Sequence, residues 1–459
     1  MINIATEIFR EYDIRGEYPL KLSDATAQLI GQALGSEIIT AKQDRCYVAW
    51  DGRLSSPAIR DALVTGLTST GCDVYLIGAA PTAAAFWSIK QSMQSCAVIT
   101  GSHNPKQDNG IKIAVAGTPR SGEDIKVLLS RIQLNLFHQG EGKIYNAFNI
   151  FNEYKQRLTY CIDTKRQIKI VLDAGNGIGG PTALAALKKI GVDVICIACD
   201  IDGNFPLHHP DPAKSKNLSW LKQAVLENNA DFGIGLDGDA DRIGVIDDQG
   251  DVVLPDRLSL LFVEDILKHQ PHSTFVFDVK CTSVLNDFIE QQGGIPHMIA
   301  TGHTSMKRAI RITNAPFATE LSGHILFNDK NGLGVDDGIY AGLRLCQLIS
   351  EQTLSLSQRL SKFPNPVSTE EIQLSVKEQD KFSIMWLIQS HCFKSYDIIT
   401  VDGMRIKFAR GWALVRASNT TPCLTLRFEA DSKASLNEIQ SLVMEELHSI
   451  IPELPSLPL

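Results

Sequence analysis

Three carboxylates stand one residue apart in Asp237-Gly238-Asp239-Ala240-Asp241-Arg242, directly after the apolar run Phe232 to Leu236. A run of this kind reads as a buried strand, so the aspartates fall where the strand ends and can converge on one point. Converging carboxylates raise one another's pKa unless a cation neutralises them, and hard oxygen ligands favour Mg²⁺, Mn²⁺ or Ca²⁺ over Zn²⁺. A calcium-binding EF-hand loop needs glycine at its sixth position and glutamate at its twelfth, where this chain has Arg242 and Asp248. The pattern therefore predicts a Mg²⁺ site completed by a phosphate oxygen, with Arg242 contacting the same phosphate.

Other stretches fit anionic chemistry. The strand-like Ala97 to Ile99 runs into Thr100-Gly101-Ser102-His103-Asn104-Pro105, which presents a serine beside a histidine where ligands bind in open α/β sheets. That is the composition of a nucleophile or phosphate carrier, and equally of a Ser/Asn turn with an incidental histidine. Arg416-Ala417-Ser418-Asn419-Thr420-Thr421-Pro422 offers a guanidinium fork, hydroxyls and an amide, the makings of a phosphate cradle. Gly175-Asn176-Gly177-Ile178-Gly179-Gly180, with Asp200 further on, matches the dinucleotide fingerprint G-x-G-x-x-G. Asp173 would, however, put a negative charge against the pyrophosphate, so a glycine turn admitting a closely packed helix is the preferred reading.

These loops need elements to position them. Cys46 to Trp50, a helix after Ser55-Ser56-Pro57 with its N-cap serine, and Val74 to Ile77 read as a βαβ unit and imply a parallel sheet. Phe9 to Gly16 reads as a loop carrying Arg15, and Tyr145 to Tyr160 as a helix. Three strands end in aspartate, at Asp51, Asp173 and Asp278, and each is followed further on by one of the polar loops, the third containing Glu320 and Ser322. This is the pattern of an internal repeat: three similar α/β domains with mixed, largely parallel sheets. Lys362-Phe363-Pro364-Asn365-Pro366 is a linker to a different, α+β C-terminal domain with alternating strands and a final helix opening at the capping box Ser435-x-x-Glu438. The expected boundaries are 1–145, 146–251, 252–364 and 365–459, with all four domains arranged around one central cleft.

Net charge is −8 over 459 residues with no basic cluster, which argues against nucleic acid and anionic membranes as partners. No apolar run has the length of a membrane span and the N-terminus lacks a signal-peptide layout, so a cytoplasmic protein is expected. The ten cysteines, Cys196 and Cys199 included, read as reduced core thiols.

Together these residues resemble the α-D-phosphohexomutase family, most closely its bacterial phosphomannomutase/phosphoglucomutase branch. Thr100 to Pro105 is similar to the family's phosphoserine loop, Asp237 to Arg242 to its metal loop, Glu320 to His324 to its sugar-reading loop and Arg416 to Thr420 to its phosphate-binding loop. The resemblance implies that Ser102 carries the phosphoryl group and that Asp237, Asp239, Asp241 and a phosphoserine oxygen hold one Mg²⁺. It implies catalytic places for Arg15, His103, Lys112 and His303, with Lys112 and His303 as alternative proton acceptors. Substrate-binding places fall to Tyr12, Lys280, Gly302, Glu320, Ser322, His324, Arg416, Ser418, Asn419 and Thr420. The implied reaction interconverts mannose or glucose 1- and 6-phosphates through a hexose 1,6-bisphosphate, which is also the activator, in a monomer or weak dimer. Two departures from the branch, Thr319 in place of glycine and the lack of aromatic residues from Asn328 to Val335, bear on sugar preference. The phosphoglucosamine mutase branch is a weaker match, because it usually has Gly-Thr-Glu where this chain has Asn419-Thr420-Thr421. From other classes, a metal-dependent serine phosphatase and a dinucleotide-dependent dehydrogenase are the competing readings.

Overall fold

The computed structural model describes residues 4–419 and 421–457. Three of its four sheets repeat one plan. In the first, Arg45–Trp50 lies between Asp73–Ala79 and Ser95–Ile99, all parallel, and Asp108–Val115 returns antiparallel to the last of these. In the second, Lys169–Asp173 lies between Asp193–Ile197 and Phe232–Leu236, with Ile243–Asp247 returning. In the third, Thr274–Asp278 lies between Ile295–Ile299 and Phe317–Thr319, with Ile325–Phe327 returning. Parallel neighbours need helical crossovers, whereas an antiparallel return needs only a short loop. The short loops after Ile99, Leu236 and Thr319 are the three polar loops, each at the carboxyl end of a strand buried at every position.

The repeated aspartates brace these loops. Asp51 Oδ2 accepts from Thr100 Oγ1 and Gly101 N, and Asp278 accepts from Leu321 N and Thr301 Oγ1. Asp173 instead accepts from Gly175 N and pairs with His208 Nε2 at 2.8 Å. The glycine stretch it supports is packed from above. A Cβ on Gly177 would lie 2.8 Å from Gly238 O, and one on Gly180 only 2.1 Å from Cys199 O. Those glycines let the helix Gly180–Lys189 and the aspartate loop approach closely, which is the reading preferred from the sequence.

The fourth sheet has six strands, all antiparallel, and is covered by the helix Lys433–Ile450 through Leu436, Ile439, Val443 and Leu447. Its main apolar core draws on residues between Leu374 and Leu454, while Trp412 and Leu414 on the same sheet pack against Val279 of the third unit.

Several local expectations are corrected. Arg15 lies on a strand, Ile14–Glu17, paired with Asp108–Val115, rather than in a loop. A cut between 145 and 146 would pass through Ile144–Asn146, which pairs with Asp73–Ala79 in the first sheet; the helix after it is Phe148–Thr159. Ser55 stands at the N-cap position without capping the helix through its side chain: its backbone is helical, φ −83° and ψ −15°, rather than extended, and its hydroxyl accepts from Asn109 Nδ2. The last helix, Lys433–Ile450, is capped by Ser432, three residues before the expected cap Ser435, and the Ser432 hydroxyl accepts from Ser435 N. Cys196 and Cys199 are joined in a disulfide rather than being core thiols. Their strand is at the sheet edge, Cys196 is exposed, and the left-handed turn at Ala198, φ 46°, brings the two together. Among the described residues no helix is long and apolar enough to cross a membrane.

Candidate active site

A cleft of about 600 Å³ is lined by residues of all four units, Ser102, Arg242, Glu320 and Arg416 among them. The aspartate loop and the serine loop meet inside it. Ser102 Oγ donates to Asp237 Oδ2 at 2.8 Å and lies 3.0 Å from His103 Nδ1. Ser102 itself is in the left-handed region, φ 48°, which is unfavourable for a residue with a Cβ.

Asp237, Asp239 and Asp241 are buried, with carboxylate oxygens within 4.8 Å of one another. Burial and the two neighbouring carboxylates push Asp237 well above the usual carboxylate range. Asp239 Oδ1 and Asp241 Oδ1 are buried without hydrogen-bond partners among the described residues, whereas the other oxygens are taken. Lys112 Nζ is 2.6 Å from Asp239 Oδ2 and 2.5 Å from Asp241 Oδ2, and Thr82 Oγ1 also donates to Asp239 Oδ2. Orphaned hard oxygens converging beside Ser102 Oγ fit a small divalent cation such as Mg²⁺. A second grouping, Asp241, His324 and Asp336, is of another kind. Arg242 Nε donates to His324 Nε2 at 2.9 Å, so the ring proton is on Nδ1, facing Asp336, and Lys307 already neutralises Asp336 at 2.8 Å.

The two expected proton acceptors part company here. Lys112 is held charged by its two carboxylates, with its pKa above the ordinary lysine range despite burial. His303 is buried beside the Lys307 ammonium, and both push it well below the ordinary histidine value, so it is neutral. Its Nδ1 accepts from Lys307 Nζ at 3.3 Å, which puts the ring proton on Nε2, a buried atom without a partner among the described residues.

The remaining expected residues are brought to the same cleft. Glu320 accepts from Gly302 N and from Ser322 Oγ, and burial raises its pKa. Gly302 has φ 132°, and a Cβ there would strike the Tyr12 ring at 2.6 Å. Lys280 Nζ is 2.5 Å from Glu371 Oε1. Arg15 is buried against Asp13 and donates to Thr100 O at 3.1 Å. Arg416 sits at the end of the strand Gly411–Ala417, its Nε on Asp402 Oδ2 at 2.9 Å; Ser418 and Asn419 follow it, and Thr420 lies outside the described residues. Sequence reasoning missed Arg53, Thr82, Glu371 and Asp402, which hold the others in place. They carry no local motif, and only contacts between distant segments reveal them.

Three α/β units and an α+β unit sharing a cleft that joins a serine to an aspartate triplet define a phosphoryl-transfer architecture. Models of the phosphoglucomutase/phosphomannomutase alpha/beta/alpha domains I, II and III match residues 6–138, 151–250 and 254–367, and that of the C-terminal domain matches 371–446. The chain belongs to the phosphoglucomutase/phosphomannomutase family. It is 40% identical over 449 residues to a phosphomannomutase/phosphoglucomutase of Pseudomonas putida, covering 97% of this chain and 96% of that one. It is 39% identical over 447 residues to a phosphoglucomutase of Neisseria meningitidis, covering 96% of each. A crystal structure of a family protein from Burkholderia thailandensis superposes with a TM-score of 0.93 at 37% identity, covering 100% of both chains.

Proposed function

We propose that this chain is a phosphohexomutase that interconverts the 1- and 6-phosphates of mannose and glucose, with Ser102 as phosphoryl carrier and a hexose 1,6-bisphosphate as intermediate and activator. The observation that carries the reading is the 2.8 Å contact of Ser102 Oγ with Asp237, inside a cleft that Arg416 also lines. Phosphoryl transfer needs positioning and charge neutralisation more than covalent help. Mg²⁺ held by Asp237, Asp239, Asp241 and a phosphoserine oxygen would supply that neutralisation when bound. Ser102 donates its phosphoryl group to a sugar hydroxyl whose proton passes to His303, the neutral member of the pair. His103 stands beside the serine oxygen, Arg15 and Arg242 contact the transferring phosphate, and Lys112 keeps the aspartates in register.

The bisphosphate then turns around, so that its original phosphate returns to Ser102 while Arg416, Ser418, Asn419 and Thr420 hold whichever phosphate is not reacting. Glu320 and Ser322 grip hydroxyls common to glucose and mannose, with Tyr12, Lys280, Gly302 and His324 completing the wall. Carbon 2 is left unread, so both sugars are substrates. The enzyme works in the cytoplasm as a monomer or weak dimer.

A coupled assay for glucose 6-phosphate from glucose 1-phosphate, beside a phosphate-release assay and an NAD titration, tests this. Interconversion without net phosphate release or NAD binding is expected. Continuous phosphate release would make the protein a phosphatase, and saturable NAD binding would make it a dehydrogenase.

A further inference from the structure

Arg53 does not line the cleft, yet its side chain, wholly buried, collects the backbone of the Ser102 loop. Nη2 donates to Ser102 O and Asn104 O, both at 2.7 Å, and Nη1 donates to Pro105 O at 2.6 Å and Asp108 O at 2.9 Å. Its Nε lies 3.3 Å from Asp51 Oδ2, the same oxygen that accepts from Thr100 Oγ1 and Gly101 N. Gly101 is pressed onto the guanidinium, so that a Cβ there would come within 2.2 Å of Cζ. The ring of Phe205, from the second unit, has its centre 5.1 Å from Cζ.

This fork braces a strained loop. Ser102 has φ 48°, Pro105 contributes no N–H, and buried carbonyls need donors. A planar fork with donors at fixed angles can meet carbonyls on several residues at once, which the compact ammonium of a lysine cannot.

We propose that Arg53 is a positioning residue of the phosphoryl-transfer step. Its guanidinium keeps the Ser102 loop in the left-handed conformation that presents Oγ to the cleft, in both the free and the phosphorylated serine. This rests on Ser102 being the carrier.

The test compares wild type, Arg53→Lys, Arg53→Ala and Ser102→Ala. Steady-state kinetics use glucose 1-phosphate, labelling of Ser102 by glucose 1,6-bisphosphate is read by phosphopeptide mass spectrometry, and folding is read by circular dichroism. Displacing the serine oxygen is expected to lower kcat about a hundredfold in Arg53→Lys, with KM within about threefold of wild type. Labelling should slow in parallel. Millimolar guanidinium chloride should restore part of the kcat of Arg53→Ala, while urea at the same concentration should not. Unchanged kcat and labelling in both variants would overturn the proposal. So would a loss that tracks the unfolded fraction and is not restored by guanidinium, or a failure of both variants to fold, since Arg53 would then be structural only. If instead wild type and Ser102→Ala label alike, the carrier assignment itself falls.

Discussion

Asn419 Nδ2 donates to the Tyr12 hydroxyl at 2.6 Å across 407 positions of sequence, and that hydroxyl donates to Thr301 O at 2.7 Å. One oxygen thus ties the first, third and C-terminal units together. Burial pushes the Tyr12 pKa up to about 12, so the proton needed for donation is retained at neutral pH. The C-terminal unit has its own apolar core, and polar bridges such as this one and Lys280 to Glu371 join it to the cleft. Bridges of this kind can open and re-form as ligand enters and leaves.

Tyr12→Phe keeps the ring against Gly302 and removes only the bridge. A net hydrogen bond is worth about 0.5–1.5 kcal/mol, so KM for glucose 1-phosphate should rise roughly two- to twelvefold while the melting temperature barely moves. An unchanged KM would show that the bridge plays no part in closure around substrate.

Arg416→Ala should remove a charge-assisted phosphate contact worth roughly 1.5–3 kcal/mol, or about ten- to a hundredfold in kcat/KM. Because the non-reacting phosphate alternates between carbon 6 and carbon 1, the defect should be alike in both directions. Asp402→Asn, which weakens the partner of Arg416 Nε, should give a smaller loss with the same symmetry. Kinetics run forward and in reverse decide this, and a one-sided defect would mean that the cradle reads one end of the sugar only.

His303 carries a directional pH prediction. Its pKa is below the ordinary value, so the imidazole stays neutral as pH falls through about 6.5 and protonates only further down. The acid limb of kcat/KM should therefore lie below pH 6.5, and His303→Gln should lower kcat severely with folding intact. The same depression has a stability consequence. Unfolded chains take up a proton near pH 6.5 that the folded site refuses, so His303 contributes stability above that pH and loses it progressively on acidification. A limb centred at or above pH 6.5 in the wild type would count against His303 as the base.

Metal removal offers a fourth check. Chelation with EDTA should abolish turnover and Mg²⁺ should restore it, while Asp239→Asn should lower kcat by about a hundredfold even at high Mg²⁺. Near-normal turnover in either experiment would mean that the aspartate triplet is not where charge is neutralised.

Much of the architecture was legible because its signals are local. The apolar run Phe232–Leu236 is a strand to the residue, and the aspartates closing the three central strands mark the repeat. Arg15 and the Ile144–Asn146 strand were misread because each becomes a strand only through a partner, Asp108–Val115 for one and Asp73–Ala79 for the other. The Cys196–Cys199 disulfide escaped notice for a related reason: a strand pattern predicts alternate faces, and the left-handed Ala198 breaks that pattern just after the strand ends.

The sequence by itself determined the chemistry on offer: a serine loop, a carboxylate triplet, a sugar-reading loop and a basic cradle, each a short motif set by spacing within a few residues. Only the tertiary structure decided what those groups do to one another. It placed Lys112 between Asp239 and Asp241, which holds its proton, and buried His303 beside Lys307, which removes one. It also set Arg53 beneath the Ser102 loop. A pKa or a loop conformation depends on charges and donors a few ångströms away in space, and apart from Lys307, four positions from His303, those neighbours come from segments some fifty to well over a hundred positions distant in the chain.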